Sequence, residues 1–318
     1  MAEAPGAATA RTDRYRALLE SVPCDQCGST DIEVVHPARY EAARPDDIGA
    51  SFRSSGDEIL IDRLVRCRRC GLQFLDPRPR QGVVLEGYAQ GTDETFVSQA
   101  AQREKTFAPY LPIIEGFTGG PGRLLDVGTA GGSFLAVAKR RGWDVLGCEP
   151  NRWLCEWGRT HYGVDIRPGT IFDLALPDRS FDVVSLWDVL EHVGGPTAVL
   201  RECRRILRDD GLIVVNVPDS DSWIAKIMGS RWVFLLSVHL YYFTFASLSR
   251  MLESTGFSVV RRSAHWQRLE VGYVFQRMEA YVPVLPSIAG RVARAVRVDG
   301  LSVPYWLGQT NVMARARR

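Results

Sequence analysis

From residue 122 onward the chain alternates short apolar runs, turns and amphipathic stretches, and this pattern limits the fold more than any other feature. Residues 123–127 are an apolar run and 128–132 a glycine-rich turn. Residues 133–141 then place Phe134, Leu135, Val137 and Ala138 near helical spacing, and Gly142 stops the helix. The alternation continues through runs at 143–148, 163–167, 181–187, 212–217 and 257–264. Helices are expected at 151–162, 196–207 and 244–255, with Asn151 and Thr244 as N-caps. Repeated strand–helix–strand units imply a mainly parallel sheet covered on both faces. Ligands of such sheets sit outside the carboxyl ends of the strands.

Composition narrows the function. The chain has 318 residues, 46% hydrophobic and 24% charged, as an ordinary globular protein does. Lys+Arg total 39 against 37 Asp+Glu, a net charge of +2, so no global charge calls for nucleic acid. No apolar run approaches the ~18–20 residues of a membrane span. Residues 1–10 are rich in Ala and Gly, without the basic start and apolar stretch of a signal peptide, and read as a disordered leader.

Two acids flank the glycine-rich turn. Asp126 precedes it, and Glu149 ends the second run, where a carboxylate can accept hydrogen bonds from ribose hydroxyls. Gly128, Gly131 and Gly132 are expected to let the backbone approach a ligand. A G-x-G-x-x-G dinucleotide fingerprint starting at Gly128 would place glycines where Ala130 and Ser133 stand, so a nicotinamide dinucleotide fits poorly. Residues 124–135, LLDVGTAGGSFL, instead resemble motif I of class I S-adenosylmethionine-dependent methyltransferases: Asp126, Gly128 and Gly132 match, and Ala130 replaces the middle glycine. Residues 147–150 resemble the motif whose acid, here Glu149, binds ribose. Residues 169–173 resemble the next motif, in which Asp173 or a neighbour touches adenine. Residues 178–193 resemble the fourth-strand motif, with Trp187 and Asp188 on the cofactor side. The motifs occur in the family's order. The resemblance implies a doubly wound, seven-stranded, mainly parallel sheet of Rossmann-like α/β class, whose last, antiparallel strand falls at 307–314.

Four of the seven cysteines form two C-x-x-C-G knuckles, Cys24/Cys27 and Cys67/Cys70. Two residues between thiolates let both sulfurs face one ion, and two knuckles supply the closed tetrahedral set of structural zinc. Redox dithiols are the alternative. A small N-terminal zinc ribbon is therefore expected at 21–78, with an inserted loop at 36–56. Reduced thiols point to the cytoplasm. Cys148, Cys155 and Cys203 read as core.

The additions around the core are assigned to the acceptor. Residues 1–20 are a leader, 79–121 a helical lid, 122–264 the cofactor-binding core, and 265–318 an insertion with the last strand. The lid helices are expected at 81–88 and 96–117, with Tyr88, Phe96 and Phe107 as candidate pocket aromatics and core packing as the alternative. His239, in S-V-H-L-Y-Y-F-T, resembles a segment of small-molecule and sugar methyltransferases. The resemblance makes His239 the candidate general base, although Val238 stands where sugar C-methyltransferases carry Glu; a substrate-contacting or packing histidine is the alternative, and Tyr242 is read as a substrate contact. His192 is the second candidate. In Asp188-x-x-Glu191-His192 the three side chains share one face of a helical turn and could ligate a divalent cation. That arrangement resembles the E-x-x-E-H segment of ubiquinone-type O-methyltransferases; a hydrogen-bonded loop is the alternative. A basic amphipathic helix at 287–297 (Arg291, Arg294, Arg297) is read as docking on the protein, with a membrane surface or an acidic carrier as alternatives.

Together these features resemble methyltransferases of sugar, surface-glycan and natural-product pathways. The leading expectation is methyl transfer from S-adenosylmethionine to a small or carrier-linked acceptor, foremost a nucleotide- or lipid-linked sugar, with O-methylation favoured over C-methylation. The competing readings are an RNA methyltransferase that grips RNA with its zinc ribbon, and a non-catalytic scaffold that binds the cofactor. No nucleic-acid partner is expected.

Overall fold

The computed structural model describes residues 12–40, 59–278 and 297–318. The expected helix at 287–297 and most of the expected loop at 36–56 fall outside them.

Five short strands precede the alternating region: β1 (Leu19–Glu20), β2 (Ile32–His36), β3 (Leu64–Cys67), β4 (Gln73–Leu75) and β5 (Arg78–Pro79). The end of the expected leader is built into them, since β1 pairs with β5 and the Tyr15 hydroxyl donates to buried Asp62. The lid follows as α1 (Gln81–Gln90), α2 (Glu94–Ser98), α3 (Ala100–Phe107) and α4 (Tyr110–Thr118). The single helix expected at 96–117 is thus three. Asp93 starts α2 by accepting from the Phe96 N–H. Pro109, with no N–H to donate, separates α3 from α4.

The core then runs β6 (Arg123–Val127), α5 (Ser133–Arg140), β7 (Asp144–Glu149), α6 (Arg152–Tyr162), β8 (Asp165–Pro168), β9 (Phe181–Trp187), α7 (Pro196–Ile206) and β10 (Leu207–Pro218). After it come α8 (Trp223–Met228), β11 (Tyr241–Tyr242), α9 (Phe245–Ser254), β12 (Phe257–Ala264), β13 (Gln267–Glu270), α10 (Val271–Met278), β14 (Ser302–Tyr305) and β15 (Gln309–Ala316). Seven of the strands form one sheet in the order β12-β15-β10-β9-β6-β7-β8. Pairing is parallel from β10 through β8, while β15 is antiparallel to both β10 and β12. This is the expected seven-stranded, mainly parallel sheet. The switch between β6 and β9 opens the crevice in which such sheets bind ligands.

Successive strand residues pack on opposite faces. Leu125, Val184, Ile213 and Val215 join one apolar cluster, and Leu124, Val183, Leu212 and Val214 the other. The first cluster also includes Cys24, Leu64, Phe74 and Tyr241, so the cysteine module shares the core of the sheet. Among the described residues, no helix is long and apolar enough to cross a membrane.

Candidate active site

A cavity of about 460 Å³ lies at the carboxyl edge of β6, β7 and β9. One wall comes from the turns after these strands. Asp126, next to last in β6, is buried and accepts from the Ser185 hydroxyl at 2.6 Å. Glu149 ends β7, also buried, and accepts from the backbone N–H of Ala130 and of Asn151, each at 2.9 Å. Burial raises both carboxyls to about 7. Gly128 and Ala130 both take positive φ and line the cavity.

The expectation for the later glycine needs correction. Gly132 does not line the cavity: a Cβ there would meet Ile166 at 2.8 Å, so the glycine serves helix–sheet packing rather than ligand approach. Asp173 also stays outside. It accepts from the Thr170 N–H and hydroxyl, closing a turn that presents Thr170, Ile171 and Phe172 to the cavity.

Trp187 forms the floor, within 5.1 Å (ring centroids) of Phe107, Tyr110 and Phe134, and its buried indole N–H has no partner. Asp188 follows with φ +55 and accepts from Asn216 at 2.6 Å and Gln309 at 2.7 Å, with Gln267 at 3.3 Å.

A second wall of the same cavity carries the histidines. His192 and His239 face each other with ring centroids 4.7 Å apart. His239 is buried, and its Nδ1 donates to the Phe234 carbonyl at 2.9 Å. His192 Nδ1 likewise donates to the Val238 carbonyl at 3.0 Å, with the Tyr88 hydroxyl also at 3.0 Å. A carbonyl oxygen only accepts, so each ring keeps its Nε2 lone pair. Burial lowers both, His192 to about 4, which keeps them neutral at pH 7.

Between them sits Glu191, buried, with both carboxylate oxygens unpartnered and its proton affinity raised by desolvation. Glu191, His192 and His239 bring ligand atoms within 4.8 Å of one another. The sequence placed Asp188 in this trio; the structure substitutes His239, because Asp188 is turned toward its three amide partners. Tyr242 is not a cavity residue either. Its hydroxyl donates to the Leu236 carbonyl at 2.6 Å and steadies the loop behind His239.

The cysteine module holds this wall in place. β11, just after His239, pairs with β4 and makes the module's sheet four-stranded. The Leu75 N–H donates to the Leu240 carbonyl, and the Tyr241 N–H to the Glu191 carbonyl. Buried Arg78 donates to the Gly194 carbonyl at 2.8 Å and the Tyr241 hydroxyl at 2.9 Å. Asp25, inside the first knuckle, accepts from the N–H of Thr197 in α7 at 2.8 Å.

The knuckles superimpose chemically. Gly28 and Gly71 have φ +69 and +77, and their N–H groups return to the Cys24 and Cys67 carbonyls. The four sulfurs lie within 4.8 Å, with Cys24–Cys70 at 3.4 Å and Cys27–Cys67 at 3.5 Å. A tetrahedral zinc–thiolate site has S···S edges of about 3.8 Å, so the cluster fits one ion with little adjustment.

Arg103 of α3 was not singled out by sequence. Its guanidinium lies 3.5 Å from the Phe96 ring centroid and lines the cavity, and its buried Nε has no partner. The hydrogen-bonded Gln267 and Tyr305 line the same cavity from the antiparallel strand pair β13–β14. Neither Arg103 nor this pair carries a motif, and only the folded chain brings them together.

The sequence profile of the family described as "Methyltransferase domain" matches residues 98–262, more than half of the chain. A ubiquinone biosynthesis O-methyltransferase of Cereibacter sphaeroides is 35% identical over 118 residues, covering 35% of this chain and 48% of that protein. A probable S-adenosylmethionine-dependent methyltransferase of Mycolicibacterium smegmatis is 32% identical over 130 residues, 41% of this chain and 48% of that protein. The chain spans about half the length of the curated relatives it matches. Among solved structures, an S-adenosylmethionine-dependent methyltransferase of Archaeoglobus fulgidus aligns with a TM-score of 0.49 at 18% identity, over 70% of this chain and 100% of that one.

Proposed function

The chain belongs to the methyltransferase-domain family, and from that membership we propose that it moves a methyl group from S-adenosylmethionine to a hydroxyl oxygen of a small or carrier-linked acceptor, a nucleotide- or lipid-linked sugar being our first choice. The observation that carries this reading is one cavity joining the strand-end acids Asp126 and Glu149 to the free Nε2 atoms of His192 and His239. Oxygen as the acceptor atom draws support from relatives named as O-methyltransferases.

The residues divide the work. Glu149 receives the ribose hydroxyls, and the Trp187 floor bounds the methionine end. Arg103 supplies a counter-charge to a carboxylate, as the cofactor's methionine end carries. The acceptor oxygen attacks the methyl carbon in line, the carbon–sulfur bond breaks, and the sulfonium becomes a neutral thioether. The hydroxyl proton passes to His239 Nε2, with His192 and Tyr88 fixing the imidazole wall. Glu191, His192 and His239 alternatively suit a divalent cation, which would supply Lewis acidity to the acceptor hydroxyl; His239 Nε2 would then be a ligand and not the base. The four cysteines hold structural zinc in this reading, with no open position for chemistry.

Mass-spectrometric detection of monomethylated product across nucleotide sugars and phenols tests the reading. His239→Ala is expected to lose turnover by roughly 10²–10⁴-fold while calorimetry shows unchanged affinity for S-adenosylhomocysteine. Full turnover in the variant removes His239 as the base. Cofactor binding with no methylated hydroxyl in the panel would leave the scaffold reading.

A further inference from the structure

A second, shallower cavity of about 370 Å³ opens at the same edge of the sheet, beyond β10, between α8 and the last strand. Asp219, Arg262, Trp223, Trp306 and Thr310 line it, and Gln309 lines both cavities.

Its two sides differ in chemistry. The polar side is preset: buried Asp219 holds the Arg262 guanidinium at 2.8 Å, and that guanidinium stacks 4.2 Å above the Phe245 ring. The aromatic side is left open to solvent. Trp223 is 62% exposed and lies 5.7 Å from Trp306, inclined at 41°. The Trp306 indole is locked by a 2.7 Å bond to the Gln309 carbonyl. Trp266, 57% exposed, extends the strip 6.4 Å beyond Trp306. Three contiguous indoles at the surface form an apolar patch of the kind that marks a ligand site.

We propose that this cavity is a binding site for a neutral saccharide ring, separate from the site of methyl transfer. A pyranose has apolar C–H faces and a hydroxyl rim, which match an indole face beside a fixed carboxylate–guanidinium pair. An anion is disfavoured because Asp219 already neutralises Arg262, and Asp221 adds a second carboxylate, paired with Lys226. A purely apolar partner is disfavoured because it would bury that ion pair without hydrogen-bond compensation. The inference does not rest on the nature of the methyl acceptor, since Trp223 and Trp306 lie outside the main cavity.

The test is a tryptophan-fluorescence and saturation-transfer titration of the full chain with methyl glycosides of glucose, mannose, galactose and rhamnose, and with the trisaccharides of the same sugars. Saturable binding is expected, and Trp223→Ala and Trp306→Phe should weaken it by roughly tenfold. S-adenosylhomocysteine affinity should stay unchanged, which shows that both variants are folded. Tighter binding of the trisaccharides would mean that the Trp266 end of the strip takes further units of a longer glycan; equal affinity would mean a single-ring site. The proposal is overturned if no sugar binds saturably or if both variants bind like the wild type. It is also overturned if phosphatidylglycerol vesicles bind through Trp223 while the sugars do not.

Discussion

The two walls of the main cavity are built on opposite plans. On the cofactor wall, Asp126 and Glu149 stand at the last or next-to-last position of a strand, and the turn residues Gly128 and Ala130 follow Asp126 within a few positions. Their placement needs only the sheet. On the acceptor wall, His192 and His239 come from distant segments held by β4–β11 pairing, by Arg78 and by Asp25. That wall borrows its geometry from the cysteine module. In the proposed reading, a cofactor site carried by the sheet and an acceptor site carried by an addition can change independently, so that acceptor choice can shift without disturbing the methyl donor.

The largest test of this contrast removes the zinc proposed for the cysteine module. Cys24→Ser with Cys67→Ser, or exhaustive chelation, should take metal content from about one zinc per chain to none and abolish methyl transfer. Structural zinc in small modules is worth on the order of 10 kcal/mol of folding energy. Where circular dichroism shows the sheet still folded, S-adenosylhomocysteine affinity should hold within a few-fold by calorimetry. Parallel loss of both activities would show that the walls are one unit.

The converse change is smaller. Glu149→Ala should weaken S-adenosylhomocysteine binding by roughly 10–100-fold, the worth of a charged hydrogen bond, and leave the zinc content intact. Unchanged affinity would place the ribose elsewhere.

The smallest effect is in pH. Burial raises Glu149 from its ordinary value to about 7, so the cofactor-free fold keeps a proton that the unfolded chain releases above about pH 4. The group therefore costs stability progressively as pH rises from about 4 to about 7, with no further change above. Relative to Glu149→Gln, the wild type should lose Tm across that window and then stay parallel to the variant. A difference in Tm that ignores pH would mean that Glu149 ionises normally.

Much of the cofactor wall was legible because strand, turn and cap signals act over a few residues. Arg123–Val127 and Phe181–Trp187 appear at the bounds expected for them, and Asn151 and Thr244 cap as their side chains suggest. The C-x-x-C-G repeats fold as twin turns, with positive φ at Gly28 and Gly71. The acceptor wall was less legible. Helical spacing grouped Asp188 with Glu191 and His192, yet three amide side chains from distant strands claim Asp188, and His239 enters instead. Tyr242 sits beside His239 in sequence, but its hydroxyl turns inward to the Leu236 carbonyl.

The sequence by itself determined the parallel sheet, the strand-end acids, the glycine turn and the paired thiols, because each follows from periodicity or fixed spacing over a short stretch. Only the tertiary structure decided which wall each side chain faces. The pairing of the histidines, the buried Glu191 oxygens beside them, the Arg103 guanidinium over Phe96 and the row of indoles beside Arg262 all depend on tertiary packing. Such juxtapositions depend on how elements cross and pair across the sheet, and no local pattern encodes that.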